Sequence, residues 1–171
     1  MNGDDTDVRE VDRRDASRAS SALLALNNAH AEALSRLSAD ALTGLMASAF
    51  LTLRAGDCDA FLIALDQDAG YDSPNFLWFR ARFERFVYVD RVAVAPHARG
   101  RGLARTLYQA LFRRARAAGH ERIVAEVNAD PPNPASDAFH AAMGFVVVGS
   151  ARLTNGKAVR YHERALGEAR D

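Results

Sequence analysis

The sequence is short of the residues that build covalent cross-links and basic surfaces. Cys58 is the only cysteine in 171 residues, so an internal disulfide, a CxxC redox pair and a thiolate zinc cluster are all excluded. Lysine is represented by Lys157 alone, and 22 basic residues are balanced by 22 acidic ones. Because the formal net charge is zero, the whole-chain basicity typical of nucleic-acid-binding proteins is missing, and any anion site has to be local.

Long apolar runs are also missing. No stretch of the sequence approaches the roughly 20 apolar residues that a membrane-spanning helix needs. The first residues, Met1–Asp5, lack the basic and then apolar order of a signal peptide. With a single cysteine, these absences predict a cytoplasmic protein that has no membrane partner.

Length and composition predict one globular domain over residues 1–171, since 49% of the residues are hydrophobic and 26% are charged. Hydrophobic spacing predicts helices, strands and a long loop that carries a short helix at Asp66–Arg85. The predicted helices cover Asp15–Asn28, Ala39–Ala49, Leu103–Ala115 and Asn133–Met143. The predicted strands cover Val8–Arg14, Phe50–Leu53, Ala60–Leu65, Phe86–Ala95, Arg122–Val127, Phe145–Leu153 and Ala158–Leu166.

The most informative segment is a glycine-bearing turn between the strand that ends before Pro96 and the helix that begins near Leu103. Glycine lets backbone N–H groups approach a ligand closely, and the first turn of a helix leaves its N–H groups without partners. The segment therefore predicts an anion site whose ligand is a phosphate group. A Walker A loop is excluded because GxxxxGK[ST] does not occur, and the dinucleotide pattern GxGxxG fails because Arg105 stands at the third glycine position.

What remains is R-x-x-G-x-A, carried by Arg99, Gly102 and Ala104. This pattern resembles the pyrophosphate loop of the Gcn5-related N-acetyltransferase (GNAT) superfamily, whose members bind acetyl coenzyme A. The segment Asn133–Phe145 resembles the second motif of that family, NxxAxxLYxxxGF. The resemblance implies an α/β (α+β) fold with a mixed, mostly antiparallel sheet of six to seven strands flanked by helices. It places acceptor-side elements in residues 1–85 and the acetyl-CoA-binding core in residues 86–166.

The resemblance also implies how this core holds its co-substrate. The backbone of Val92, Ala93 and Val94 would contact the pantetheine arm, with the Val94 N–H directed at the thioester carbonyl. An N–H aimed at developing negative charge stabilises a tetrahedral intermediate. Asn133 would hydrogen-bond the coenzyme, and no metal ion is expected. The pyrophosphate would lie against the loop residues Arg99, Gly100, Arg101, Gly102, Leu103, Ala104 and Arg105.

Acetyl transfer to an amine requires a neutral nitrogen and a proton for the departing thiolate. The tyrosine acid of the family corresponds to His140, and the catalytic glutamate of some members corresponds to Asn128, which cannot titrate. His140 could donate to the sulfur as a neutral imidazole or protonate it as an imidazolium, and the alternative is a packed core histidine. Asp90 is the candidate base or amine anchor, and the alternative is an ion pair with Arg91.

By the same resemblance, the early helices and the loop before the central strand form the acceptor pocket. The aromatic side chains of that loop could instead pack onto the core, since aromatic rings bury large apolar areas wherever they lie. The residues expected around the acceptor are Asn27, Asn28, His30, Tyr71, Trp78, Phe79 and Phe83.

The sequence therefore predicts an acetyl-CoA-dependent N-acetyltransferase that acts on an amine of a small molecule or peptide. The alternative from another class is a non-catalytic acyl-CoA-binding module, because the usual tyrosine and glutamate are both replaced. Acetylation of aminoacyl-tRNA is disfavoured by the zero net charge. The oligomeric state stays open, with a homodimer as one alternative.

Overall fold

The computed structural model describes residues 7–12 and 16–167, and its elements follow the predicted order. Arg13, Arg14 and Asp15, where two predicted elements meet, lie outside the described residues. The helices are α1 (Ala16–Ala29), α2 (Ala31–Leu34), α3 (Ala39–Ser48), α4 (Pro74–Arg80), α5 (Leu103–Ala117) and α6 (Pro134–Ala142). The strands are β1 (Val8–Glu10), β2 (Leu51–Ala55), β3 (Ala60–Asp66), β4 (Val87–Val94), β5 (Arg122–Asp130), β6 (Val146–Arg152) and β7 (Ala158–Ala165).

The strands form a seven-stranded sheet in the order β1-β2-β3-β4-β5-β7-β6. Strand β4 pairs in parallel with β5, with Val87 opposite Ile123 and Tyr88 opposite Val124. The pairs β1–β2, β2–β3, β5–β7 and β6–β7 are antiparallel. The mixed, mostly antiparallel sheet flanked by helices that the sequence predicts is confirmed.

Several local features differ from the sequence prediction, among them the end of β1 at Glu10, which leaves Val11 and Asp12 outside the strand that was predicted to include them. The short helix α2 follows α1 after one residue and was not predicted, because four residues are too few to show a hydrophobic period. Strand β5 continues to Asp130, three residues beyond its predicted end, through the polar residues that follow Val127.

The turn between β2 and β3 places two residues in the left-handed region, Gly56 at φ +54° and Cys58 at φ +78°. The Cys58 thiol is half-buried, and its burial raises the pKa of that thiol to about 11. The only cysteine of the chain is therefore held as a neutral thiol at neutral pH.

The chain forms two compact units, of which the first comprises residues up to Leu65 together with Val89–Arg113. Its core is mostly aliphatic, and α1, α3 and α5 each contribute leucines to it. The fully buried large side chains of this unit include Leu23, Leu42, Leu51, Phe61, Leu62 and Ile63.

The second unit comprises Asp66–Tyr88 and the chain from Arg114 onward, and its core is aromatic. Phe76 packs against Phe86 and Tyr88 with ring centroids 5.7 Å apart in both pairs. Phe79 lies 5.9 Å from Tyr88 and 5.1 Å from Tyr161. These rings are almost completely removed from solvent, and two of them, Phe76 and Phe79, belong to the predicted aromatic loop.

Candidate active site

The predicted anion loop is an exposed turn that leaves β4, passes through a 3₁₀ turn at Pro96–Ala98 and enters α5. Gly100 and Gly102 adopt φ values of +79° and +72°, in the left-handed region that glycine reaches without steric cost. A β-carbon added at either glycine would have no atom of the described residues within 4 Å. The backbone here faces open space that a ligand can enter.

The loop ends as the N-terminus of a long helix. The Thr106 N–H donates to the Gly102 carbonyl at 3.0 Å, which makes Leu103, Ala104 and Arg105 the first turn of the 15-residue helix α5. N–H groups of a first turn have no carbonyl partner within their own helix, and the helix dipole adds positive potential there. Arg99, Arg101 and Arg105 are exposed around this turn. The donor set fits a pyrophosphate group.

Asp59, at the end of the β2–β3 turn, is bonded to this loop through three contacts. Its backbone carbonyl accepts from the Ala95 N–H at 2.8 Å. Its carboxylate accepts from His97 Nε2 at 3.0 Å and lies 3.4 Å from Arg101 Nη1. The hydrogen bond from His97 is the main reason that the pKa of the Asp59 carboxyl lies below its usual value. Sequence reasoning missed Asp59 because no local pattern links it to a loop almost forty residues later.

The structure joins two predicted site residues, Asp90 and Asn27, through Arg91. Asp90 Oδ2 accepts from Arg91 Nε at 2.7 Å, and both side chains are buried, with 4% and 7% of their surface exposed. Arg91 Nη1 donates to Asn27 Oδ1 at 2.9 Å. The ion pair that the sequence analysis named as the alternative for Asp90 is present.

Asn27 and Asn28 hold the segment between α2 and α3. Asn27 Nδ2 donates to the Ser35 carbonyl at 3.1 Å. Asn28 donates to the Leu37 carbonyl and accepts from the Leu37 N–H, at 3.0 Å each. His30 likewise donates from Nδ1 to a backbone carbonyl one turn earlier in α1, at 3.0 Å. All three polar side chains expected at the acceptor pocket form hydrogen bonds with backbone groups of this protein, so they stabilise the conformation of this region.

In the second unit, Asn133 is the N-cap of α6. Its Oδ1 accepts from the Ser136 N–H at 3.2 Å, and Pro134 follows at the first helical position, where the missing N–H costs nothing. The carbonyl of the side-chain amide is thus used by the helix. The Nδ2 amide group is the part of Asn133 that can donate to a ligand.

His140 lies on α6 with 4% of its surface exposed. Its Nδ1 is 2.8 Å from the Ser136 carbonyl oxygen and 3.3 Å from Ser136 Oγ; because the closer carbonyl oxygen only accepts, the geometry favours the neutral tautomer with the proton on Nδ1 and the lone pair on Nε2. Burial lowers the pKa of His140, although the bond to Ser136 acts in the opposite direction. The expected role as a neutral donor to the coenzyme sulfur does not fit this tautomer, because the single N–H is directed at the helix backbone.

A second histidine lies beside His140. The His162 and His140 ring centroids are 5.7 Å apart, and His162 Nε2 is 3.6 Å from Asp137 Oδ1. Arg160 Nη1 donates to the other Asp137 oxygen at 3.0 Å. Burial is also the main cause that lowers the pKa of His162. Sequence reasoning missed this group because α6 and β7 come together only in the folded chain.

The aromatic residues expected at the acceptor pocket are packed side chains of the second unit. Trp78 stacks on Tyr161 with centroids 4.2 Å apart and planes 21° apart, and the Arg82 guanidinium lies 3.8 Å from the indole centroid. Phe79 has no exposed surface. Phe83 is covered by the Arg122 guanidinium at 4.1 Å.

Tyr71 completes this set, since its ring meets the edge of Phe76 with centroids 5.6 Å apart. The geometry matches the packing alternative for these aromatic residues. A contact with an acceptor stays a prediction for Tyr71, Trp78 and Phe83, which keep some exposed surface.

The anion loop and the motif Asn133–Phe145 both lie within a segment that matches a known family. The model of the Acetyltransferase (GNAT) family matches residues 49–145, more than half of the chain. The chain belongs to the GNAT family. The match contains the β2–β3 turn with Asp59, the anion loop, Asn133 and His140.

Among curated relatives, this GNAT protein is similar to phosphinothricin N-acetyltransferase from Alcaligenes faecalis, with 37% identity over 82 residues. The aligned part is 48% of this chain and 41% of the relative, so the chain matches less than half of that protein's length.

Solved structures with the same fold include the ribosomal-protein-S18-alanine N-acetyltransferase from Escherichia coli. It has a TM-score of 0.68 at 17% identity, and the alignment covers 96% of each chain. The Salmonella typhimurium protein yncA, solved with its cofactor acetyl-CoA, has a TM-score of 0.65 at 19% identity. That alignment covers 96% of this chain and 95% of the other.

No described helix is long and apolar enough to cross a membrane. Over the residues that the structure describes, no three histidine, cysteine or acidic side chains lie together in a way that could hold a metal ion.

Proposed function

We propose that this GNAT protein transfers the acetyl group of acetyl-CoA to an amine of a small molecule or a peptide. The observation that carries the proposal is the loop before α5, where two left-handed glycines border open space and a helix begins, whose first N–H groups have no carbonyl partner within that helix. Membership of the GNAT family supports acetyl-CoA as the co-substrate. The similarity to phosphinothricin N-acetyltransferase supports an amine acceptor.

The bound co-substrate supplies the acetyl group as a thioester. For its recognition, we propose that the N–H groups from Gly102 to Arg105 bind the pyrophosphate, and that Arg99, Arg101 and Arg105 add positive potential. Asn133 donates from Nδ2, the group that its capping role leaves for a ligand. The backbone of Val92, Ala93 and Val94 binds the pantetheine arm, and the Val94 N–H stabilises negative charge on the carbonyl oxygen.

The reaction forms an N–C bond and breaks a C–S bond, so one proton must leave the amine and one must reach the sulfur. The neutral tautomer of His140 has a lone pair on Nε2, which suits the first task. Burial lowers the pKa of the imidazolium formed in this way, which favours transfer of its proton to the sulfur. We therefore propose His140 as a base that subsequently acts as the acid.

Asp90 suits a different role. Because Oδ2 of this carboxylate is bonded to Arg91 at 2.7 Å, Asp90 is proposed to anchor a positively charged acceptor and not to remove its proton. Asn27 and Asn28 are proposed to act on the acceptor through the segment that they hold, residues 35–37.

The experiment is turnover by the purified protein with acetyl-CoA and a panel of amines that includes phosphinothricin and a peptide with an N-terminal alanine. Release of coenzyme A that depends on the amine is the expected result. Calorimetric binding of coenzyme A without release across the panel would overturn the transfer reaction and support the non-catalytic acyl-CoA-binding module. Absence of both binding and release would overturn the assignment of the loop.

A further inference from the structure

We propose that Asp59 is a positioning residue that holds the anion loop in the conformation that binds pyrophosphate. This inference rests on the proposed function of the loop and adds a residue from a different part of the chain. Asp59 lies on the β2–β3 turn, whereas its partners Ala95, His97 and Arg101 all belong to the segment that leads from β4 into α5.

The β2–β3 turn is built so that Asp59 lies against the loop. The N–H groups of Cys58 and Asp59 donate to the Ala55 carbonyl at 3.2 and 2.9 Å, which closes the turn on itself. The left-handed conformations of Gly56 and Cys58 redirect the chain within it. A β-carbon added at Gly56 would lie 3.1 Å from Asp59 Oδ2, so the glycine leaves the space that the carboxylate occupies.

The three contacts of Asp59 reach successive parts of the loop. The backbone bond to Ala95 fixes the end of β4, the bond to His97 fixes the 3₁₀ turn, and the contact with Arg101 fixes the residue between the two left-handed glycines. A loop held in its bound conformation loses less conformational entropy when a ligand arrives. The Asp59 carboxylate therefore favours binding without touching the ligand.

Asp59 also has an electrostatic effect that opposes binding, since a carboxylate near an anion site repels phosphate. His97 and Arg101 offset this charge, and the depressed pKa of Asp59 reflects the same interactions. The two effects predict opposite outcomes when the carboxylate is removed. Positioning predicts weaker binding, whereas repulsion predicts tighter binding.

The test is the affinity for coenzyme A of Asp59→Ala, measured by calorimetry. We expect the dissociation constant to rise about 3- to 10-fold, the scale of one or two partly exposed charged hydrogen bonds. Asp57→Ala is the matched control, because Asp57 is an exposed carboxylate on the same turn that makes no hydrogen bond or ion pair with the described residues. An unchanged or lower dissociation constant for Asp59→Ala would overturn the proposal.

Kinetics separate positioning from general loss of structure. Asp59→Ala should raise KM for acetyl-CoA with kcat nearly unchanged, and Asp59→Asn, which keeps the shape and one acceptor, should recover part of the affinity. In a His97→Ala background the further effect of Asp59→Ala should shrink, because residues that act through one another are not additive. Full additivity, or a fall in kcat with unchanged KM, would contradict the role.

Failure of the Asp59 proposal is distinguishable from failure of the proposed function. Binding of coenzyme A to the unmodified protein tests the loop assignment and does not depend on Asp59. If Asp59→Ala fails to fold, His97→Ala removes one contact of the same carboxylate and should raise the same dissociation constant. Unchanged affinity in a folded His97→Ala variant would also contradict the inference.

Discussion

Gly149 of β6 lies directly against the indole of Trp78, so that a β-carbon at position 149 would stand 2.7 Å from Cη2 and even closer to Cζ2. Gly149 also pairs with Tyr161 of β7, the residue on which Trp78 stacks. A glycine inside a strand often marks the close approach of another group, and here that group is an aromatic side chain. The packing of Trp78 in the aromatic core of the second unit thus requires a residue without a side chain at position 149.

Gly149→Ala is expected to destabilise the protein by about 1–3 kcal/mol, because the added methyl group overpacks a closed contact. Urea unfolding measures the change. Ser150→Ala, at an exposed position of the same strand, is the control for the effect of alanine in β6 and should be nearly neutral. A neutral Gly149→Ala would mean that Trp78 can move away without cost.

The Trp78→Ala variant shows whether contact with the Trp78 indole causes the destabilisation by Gly149→Ala. Once the indole is absent, alanine at position 149 should cost little, so the two substitutions should be non-additive. Trp78→Ala alone also distinguishes a packed tryptophan from a wall of the acceptor pocket. Lower stability with a normal acceptor KM indicates packing, whereas a raised acceptor KM supports the pocket.

Gly102→Glu is expected to abolish coenzyme A binding while the fold is kept. The side chain would enter the open space beside the loop, and its carboxylate would repel the pyrophosphate. Calorimetry measures the binding. Gly156→Glu is the matched control, because Gly156 has a similar φ of +86° and open surroundings in the turn between β6 and β7. Equal losses in both variants would point to backbone strain as the cause.

Arg99→Ala should weaken the same interaction less than Gly102→Glu does. The reason is that backbone N–H groups are proposed to carry most of the recognition, and an exposed arginine adds a screened charge. If the arginine variant were the more damaging one, the proposed loop geometry would be wrong.

His140→Phe is expected to lower kcat by about 10²-fold or more, the usual scale for one group in general acid–base catalysis, and to spare coenzyme A affinity. His140→Tyr restores the donor of the family and should recover part of the rate. Rates of the three proteins over pH 6–9 measure the effect. Near-normal kcat in the phenylalanine variant would assign His140 to packing alone.

The stability of the protein is expected to fall as the pH is lowered from 7.5 to 5.5. Burial lowers the pKa of His120, His140 and His162 below the ordinary value of 6.5 that applies to the unfolded chain. As pH falls through 6.5, the unfolded state therefore binds protons before the folded state does. The contribution of these histidines to stability is complete above pH 6.5 and is lost as the pH falls toward their lowered pKa values in the folded state.

Urea unfolding at several pH values measures this decrease. His140→Phe removes one of the three groups and should make the dependence of unfolding free energy on pH shallower. A free energy of unfolding that does not change between pH 7.5 and 5.5 would show that these histidines are protonated equally in both states.

The order of elements could be predicted from the sequence because each long element carries its own signal. Helix α5 shows leucines at helical spacing, and β4 ends where Pro96 follows. The glycine-bearing turn before α5 was predictable for the same reason, since its glycines and the helix that follows are adjacent in sequence; anion binding there stays a prediction. The four-residue helix α2 and the ends of β1 and β5 were not predicted correctly, because short or polar segments carry no hydrophobic period.

The partners of the site residues could not be predicted, because they are brought together by the fold. The bond of Arg91 to Asn27 spans 64 positions, and that of His97 to Asp59 spans 38. The tautomer of His140 depends on a carbonyl one turn earlier in α6, which only the folded helix presents. Residue types predict an anion site in the loop, whereas the proposed roles of the acid–base groups depend on the surroundings of each group in the folded chain.

The neutral thiol of Cys58 has a practical consequence for measuring turnover. With a pKa of about 11, it is ionised in only roughly one molecule in a thousand at pH 8, and disulfide reagents react with thiolates. The liberated coenzyme carries an ordinary exposed thiol. A colorimetric disulfide reagent added to the native protein should therefore report released coenzyme A continuously, with a negligible background from the polypeptide itself.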